Sequence, residues 1–210
     1  MLNVMGKNIL LDRSEILYNR PFSEESIAED WEIASGSWWI EDGWLTGKIK
    51  ENAGGIIYSK ASYPGDIMID FYGRTVSPCA NDLNFVLRAE GWDYKKNDAG
   101  ISYIAGLQGW WTGKTGIERY PECNLQATTS LLDFIPDKIY HIQAGVVGNY
   151  IFIFVDGKLA VEMRDPNPID SNKFGKIGFG TYCSHIQVRD LKVIQLVSED
   201  VHMEYVPNFE

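Results

Sequence analysis

The sequence predicts an all-β protein, an antiparallel β-sandwich or barrel, with one short helix near the N-terminus. Three observations carry this. Apolar and β-branched residues alternate with polar ones at the period of a strand in about a dozen segments. Asp-Gly and Gly-Asn pairs stand between successive segments, where tight hairpins need positive φ. Only one segment has helical spacing, so crossover helices for a parallel sheet are missing.

That helix is Ser23 to Trp31 (SEESIAEDW), where Ser23 can cap the first turn and Ile27 and Trp31 fall four apart on one face. Strands are predicted at 37–41, 43–49, 55–60, 66–74, 82–90, 100–108, 122–130, 139–147, 150–156, 158–164, 175–182 and 185–197. Asp42-Gly43, Gly148-Asn149 and Asp156-Gly157 mark hairpin turns. Residues 91–121 mix Gly, Trp and charged residues around one short strand and read as a loop-rich insertion, a kind of segment that often carries function. The last thirteen residues form an acidic tail, 198–210.

The whole chain, 210 residues with 45% apolar and 23% charged, suits a single sandwich domain spanning 1–210. Its 19 basic and 29 acidic residues give a net charge of −10, which repels a phosphate backbone and argues against nucleic acid as a partner. Cys79, Cys123 and Cys183 are odd in number and widely spaced, which suits free thiols in a reducing compartment rather than a disulfide framework. The opening MLNVMGKNILLDRSE does not read as a signal peptide, and no run approaches the roughly 18 apolar residues of a membrane span. A cytoplasmic protein without membrane contact is the expectation. Aromatic residues make up 13% of the chain, more than core packing alone requires.

Candidate site residues come from strand alternation. Ile67, Ile69 and Phe71 oppose Asp70, Tyr72 and Arg74; Leu83, Phe85 and Leu87 oppose Asn84, Val86 and Arg88; Tyr103, Ala105 and Leu107 oppose Ser102, Ile104 and Gln108. If these strands are neighbours, Asp70, Tyr72, Arg74, Asn84, Arg88 and Gln108 share one face, whose planar donors and acceptors suit sugar hydroxyls. The alternative is a solvated outer face with incidental ion pairs. Trp92, Trp110 and Trp111 lie in Gly-rich sequence and are candidates for stacking on a ligand, or else anchors for their loops. Glu118 and Glu122, with Asp93 and Asp98, are the carboxylates nearest those tryptophans, and Glu118 and Glu122 are the candidate acid and base. His185, whose face Gln187 continues, is a further binding candidate. The three histidines share no ligand spacing, so neither a metal nor a cofactor is indicated.

Two segments, YHIQAGVVGNYIFIFVDGKLAVEMRDPNPI (140–169) and FGKIGFGTYCSHIQVRDLKVIQL (174–196), resemble the closing half of the concanavalin A-like lectin/glucanase sandwiches. Within that class the chain is most similar to the YesU-like family and the 3-keto-disaccharide hydrolase-like family. The opening ILYNRPFSEESIAEDWEIASGSWWIEDGWLTG (16–47) and the Cys123-Asn124-Leu125 segment are similar to the YesU-like pattern. The resemblance implies a concanavalin A-like jelly roll with a concave sugar-binding sheet and a role in bacterial glycan breakdown. It hands over no catalytic residue, since the Glu-x-Asp-x-Glu signature of the endo-glucanases and the His-x-Asn-Pro-Arg motif of galectins are both absent. A structural calcium is known in several such sandwiches, and Asp42 or Asp165 to Asp170 could supply oxygens, without a distinctive calcium loop.

Three functions follow for test. The first is cleavage of a small glycoside, including an oxidised or pectin-derived one. The second is a non-catalytic lectin-like module binding an oligosaccharide. The third is an interface protein, a homo-oligomer included, whose exposed tryptophans meet another chain.

Overall fold

A computed structural model describes residues 2–49, 54–110 and 113–201, with the side chain of Trp110 excepted. Two antiparallel sheets pack face to face. In order across the first, a seven-stranded sheet, lie Gln126–Thr129, Lys114–Tyr120, Ser102–Trp110, Leu83–Ala89, Lys176–Tyr182, Gly54–Ser59 and Trp31–Ser35. Across the second, an eight-stranded sheet, lie Lys158–Arg164, Tyr150–Val155, Tyr140–Val147, Ile67–Ala80, Ser184–Gln195, Trp44–Lys48 and Ser37–Glu41, with Glu15–Tyr18 added beside Ser184–Gln195. This is an antiparallel sandwich, one of the two architectures the alternation predicts, and the two-sheet jelly roll that the resemblance implies. The expected helix is Glu24–Asp30, capped by Ser23, whose side chain accepts from the Ser26 amide while Ser26 Oγ accepts from the Ser23 amide.

The core is the layer between the sheets. Leu83, Phe85 and Leu87 from the first sheet, with Tyr103, Ala105 and Leu107, meet Ile67, Ile69 and Phe71 from the second, and all are fully buried. Phe71 stands edge-on to Phe85 and Phe179, at centroid separations of 5.6 and 5.1 Å, so aromatic packing joins the two sheets at their centres. A second apolar cluster lies on the outer side of the eight-stranded sheet. There Met68, Phe152, Phe154 and Leu196 are covered by Val4 and Ile9 of a small sheet formed by Leu2–Val4, Lys7–Ile9 and Ser198–Asp200.

Two expectations change. Residues 91–121 are not a loop-rich insertion around one short strand. The strands Ser102–Trp110 and Lys114–Tyr120 belong to the seven-stranded sheet, and the longest irregular stretch among the described residues there is 91–101, which holds the two-residue pairing of Trp92–Asp93 with Asp98–Ala99. The strand Ile67–Ala80 is not a neighbour of Leu83–Ala89 within one sheet. It pairs with Tyr140–Val147 and Ser184–Gln195 in the other sheet. The chain crosses from sheet to sheet between residues 80 and 83, and alternation within a strand carries no information about which sheet the strand joins.

Candidate functional site

A groove of about 850 Å³ runs over the outer face of the seven-stranded sheet. Its floor follows from register. Gly116 pairs with Gly106, Gly106 with Asn84, Asn84 with Gly180 and Gly180 with Ile56, so three glycines, one asparagine and one isoleucine form a single row across five strands, of which Asn84, Gly180 and Ile56 line the groove together with Gly54, Gly55 and Gly109. Side chains at i and i+2 point to the same face of a strand, so glycines in one cross-strand row leave a trough. The next row on that face holds Gln126, Glu118, Ile104, Val86, Gly178 and Tyr58. Trp92, Asp98 and Tyr120 stand along one side, and Asp82, Thr181 and Tyr182 along the other.

Trp92 is half-buried and packs on the Ile56, Tyr58, Val86 and Ala89 cluster, which fixes its ring at the groove edge. Tyr182 is 51% exposed. The Tyr120 hydroxyl donates a short hydrogen bond to Asp98, and Gln126 Nε2 donates to Glu118 at 3.1 Å. Asp82 is only 2% exposed. One of its carboxyl oxygens accepts from the Tyr182 amide at 3.0 Å and from Ser184 Oγ at 2.8 Å, while the other accepts from Asn84 Nδ2 at 2.8 Å. Burial pushes the Asp82 carboxyl above its usual range, against the lowering effect of those three donors. With its amide nitrogen fixed in this way, Asn84 has its Oδ1 enclosed and without a protein partner. The hydroxyl of fully buried Tyr58 also has none.

Of the predicted site residues, Asn84, Trp92 and Glu118 line the groove, and Asp98 joins them. Glu122 lies in an exposed turn outside the groove lining. Asp70, Tyr72 and Arg74 do not share a face with Asn84, because their strand is in the other sheet. Asp70 accepts from Gln143 Nε2 at 2.7 Å and meets His141 Nε2 at 2.9 Å, and Tyr72 stacks on His141 at 4.9 Å.

Arg88 is a further correction. Leu87 and Arg88 together face Ile177, a bulge that gives Arg88 a φ of 45° and turns its side chain off the outer face. It is 4% exposed, and its guanidinium donates to the carbonyls of Gly148, Ile169 and Gly65 and to Asp66. Gln108, at φ 67°, sits in another irregularity and is not among the groove residues. His185 lies on the outer face of the eight-stranded sheet, 5.8 Å from the Trp39 ring centroid, and its Nε2 has no partner. Trp111 lies outside the described residues, as does the side chain of Trp110.

Alternation missed Asp82, Tyr120, Gln126 and Tyr182. The available signal was the spacing Gly178-x-Gly180 together with Gly106 and Gly116, since glycine at the outward positions of adjacent strands marks a trough. Among the described residues, no three His, Cys, Asp or Glu side chains group to hold a metal ion. Asp165, weighed above as a calcium ligand, instead accepts from Tyr103 at 2.7 Å and from Arg119 at 2.9 Å. No described helix is long and apolar enough to cross a membrane.

No known protein family matches the chain by sequence, and no curated protein does. Solved structures do match. A Bacillus subtilis protein of unknown function with a galectin-like fold is 16% identical, with a TM-score of 0.70 over 87% of this chain and 96% of that one. The carbohydrate-binding module CBM66 of Bacillus subtilis is 14% identical, with a TM-score of 0.59 over 78% of this chain and 94% of that one. A Bacillus licheniformis β-glucanase is 11% identical, with a TM-score of 0.60 over 87% of this chain and 97% of that one. At these identities the likeness concerns the fold, and the chain has the antiparallel sandwich of the galectin-like and concanavalin A-like jelly rolls.

Proposed function

We propose that this protein binds an oligosaccharide in the groove of the seven-stranded sheet. The observation that carries the reading is the glycine-floored trough itself. Its planar polar groups, Gln126 and Glu118, face a cleft edged by Trp92, Tyr120 and Tyr182. A sugar ring needs fixed donors and acceptors for its hydroxyls and flat aromatic surface for its apolar face. The fold's likeness to a carbohydrate-binding module and to a glucanase supports the same reading. So does the sequence resemblance to the YesU-like and 3-keto-disaccharide hydrolase-like families. A glycan array followed by calorimetry tests it. Gln126→Ala and, separately, Tyr182→Ala should each weaken saturable binding by at least about tenfold, the scale of one lost polar or stacking contact. Unchanged affinity in both would remove the groove assignment.

One observation favours a second reading, glycoside cleavage. Asp82 and Glu118 both line the groove, and burial pushes the Asp82 carboxyl above its usual range, while such cleavage needs one carboxyl group as acid and another as base. Glu118 is the base of this reading, and Asp82 takes the acid role that Glu122 is too far outside the groove lining to fill. Glu118→Gln and Asp82→Asn, assayed on a glycoside panel that includes 3-keto sugars, should each lower turnover about 100-fold or more. Saturable binding by the parent protein with no product after long incubation would leave the binding reading alone.

A further inference from the structure

We propose that the groove selects saccharides by charge, taking neutral and amino sugars and rejecting those that carry a carboxylate. The inference rests on the reading of the groove as a saccharide site and narrows its ligand class. Three carboxyl side chains, Asp82, Asp98 and Glu118, line the groove, and among the described lining residues there is no Lys, Arg or His. The bases that could offset them are engaged elsewhere. Arg119, next in sequence to Glu118, points to the other face of its strand and donates to Asp165. Lys176 pairs with Glu32 at 3.2 Å.

Three acids around the groove respond to the same field. Tyr120, Tyr58 and Cys123 are all pushed above their usual ranges, in each case by burial first. Asp98 then raises Tyr120, with Glu118 adding to the effect. Asp98 and Tyr120 raise Tyr58, and Glu118 raises Cys123. A bound uronate would bring its charge against the same groups. A like charge about 6 Å from one carboxylate, at the effective dielectric of a partly wet cleft, weakens binding by roughly tenfold. An ammonium on the sugar reverses the sign. This argues against the galacturonate units of a pectin-derived ligand and leaves neutral oxidised sugars, such as keto sugars, open.

The test is an array of oligosaccharides matched in linkage, each present in three forms: unmodified, with the 6-hydroxymethyl group oxidised to a carboxylate, and with a 2-amino group. The expected result is binding to unmodified and amino forms, with the carboxylate forms at least about tenfold weaker at low salt and the gap narrowing in 0.5 M NaCl. In Glu118→Gln, and independently in Asp98→Asn, the ratio of carboxylate to unmodified affinity should rise severalfold. The salt titration uses the parent protein and stands even if a variant fails to fold. Equal binding of all three forms overturns the charge inference while leaving the groove as a saccharide site. Binding of none of the three overturns both.

Discussion

Arg88 shows how one residue can leave its predicted face. Strand alternation places Leu83, Phe85 and Leu87 in the core, and all three are there. It places Arg88 outward, and one extra residue at the bulge sends the guanidinium into the end of the sandwich instead. A bulge leaves no mark in a hydrophobic pattern, so this residue could not be placed from sequence. Its removal should be costly. Arg88→Ala leaves three buried backbone carbonyls without the guanidinium and removes the cation beside Asp66, and is expected to lose about 3–5 kcal/mol in urea unfolding. His185 provides a pH signature. Burial, and then Lys48, hold its imidazole below the usual value, so the native state resists protonation. The unfolded chain therefore binds the proton more readily, and the stability due to neutral His185 is present above pH 6.5 and is lost as pH falls from there toward the lowered folded value. Unfolding measured between pH 5 and 8 should show this slope in the parent and a flatter one in His185→Gln.

At the scale of elements, the strands were largely legible and their partners were not. Twelve predicted segments correspond to strands, because each carries its period in local sequence. The choice of sheet for Ile67–Ala80 depends on pairing with Ser184–Gln195, more than 100 residues away, and local period cannot report it. The same gap separated Asp70 and Tyr72 from a site that Asn84, Trp92 and Glu118 do line. The glycine row offers a clean test of the trough. At Gly180 an added Cβ would meet only Asn84 Cβ at 3.5 Å and the Gly55 carbonyl at 3.7 Å, which are ordinary contacts. Gly180→Ala should therefore leave stability within about 0.5 kcal/mol while weakening saccharide binding severalfold. At Gly106 the Cβ would overlap Asn84 Oδ1 and come within 2.5 Å of the Leu83 carbonyl. Gly106→Ala should destabilise the fold by roughly 1–3 kcal/mol or more. Equal loss of stability in both variants would contradict the trough.

The whole molecule is a three-layer arrangement in cross-section, with the small sheet of Leu2–Val4, Lys7–Ile9 and Ser198–Asp200 laid over half of the eight-stranded sheet. Val4 and Ile9 shield Met68, Phe152, Phe154 and Leu196, and burying each aliphatic side chain contributes about 1.5–3 kcal/mol. Deletion of residues 1–9 should uncover an apolar patch, lower the unfolding midpoint and increase dye binding and sedimentation coefficient. An unchanged, monomeric variant would show that the small sheet is dispensable. The same arrangement decides how the protein can be connected. Its first and last described strands meet on the outside of the eight-stranded sheet, while the groove opens from the outside of the seven-stranded sheet. A tether, a bead or a second domain joined directly to Leu2 or to Asp200 would start from the back of the molecule, on the side away from the trough.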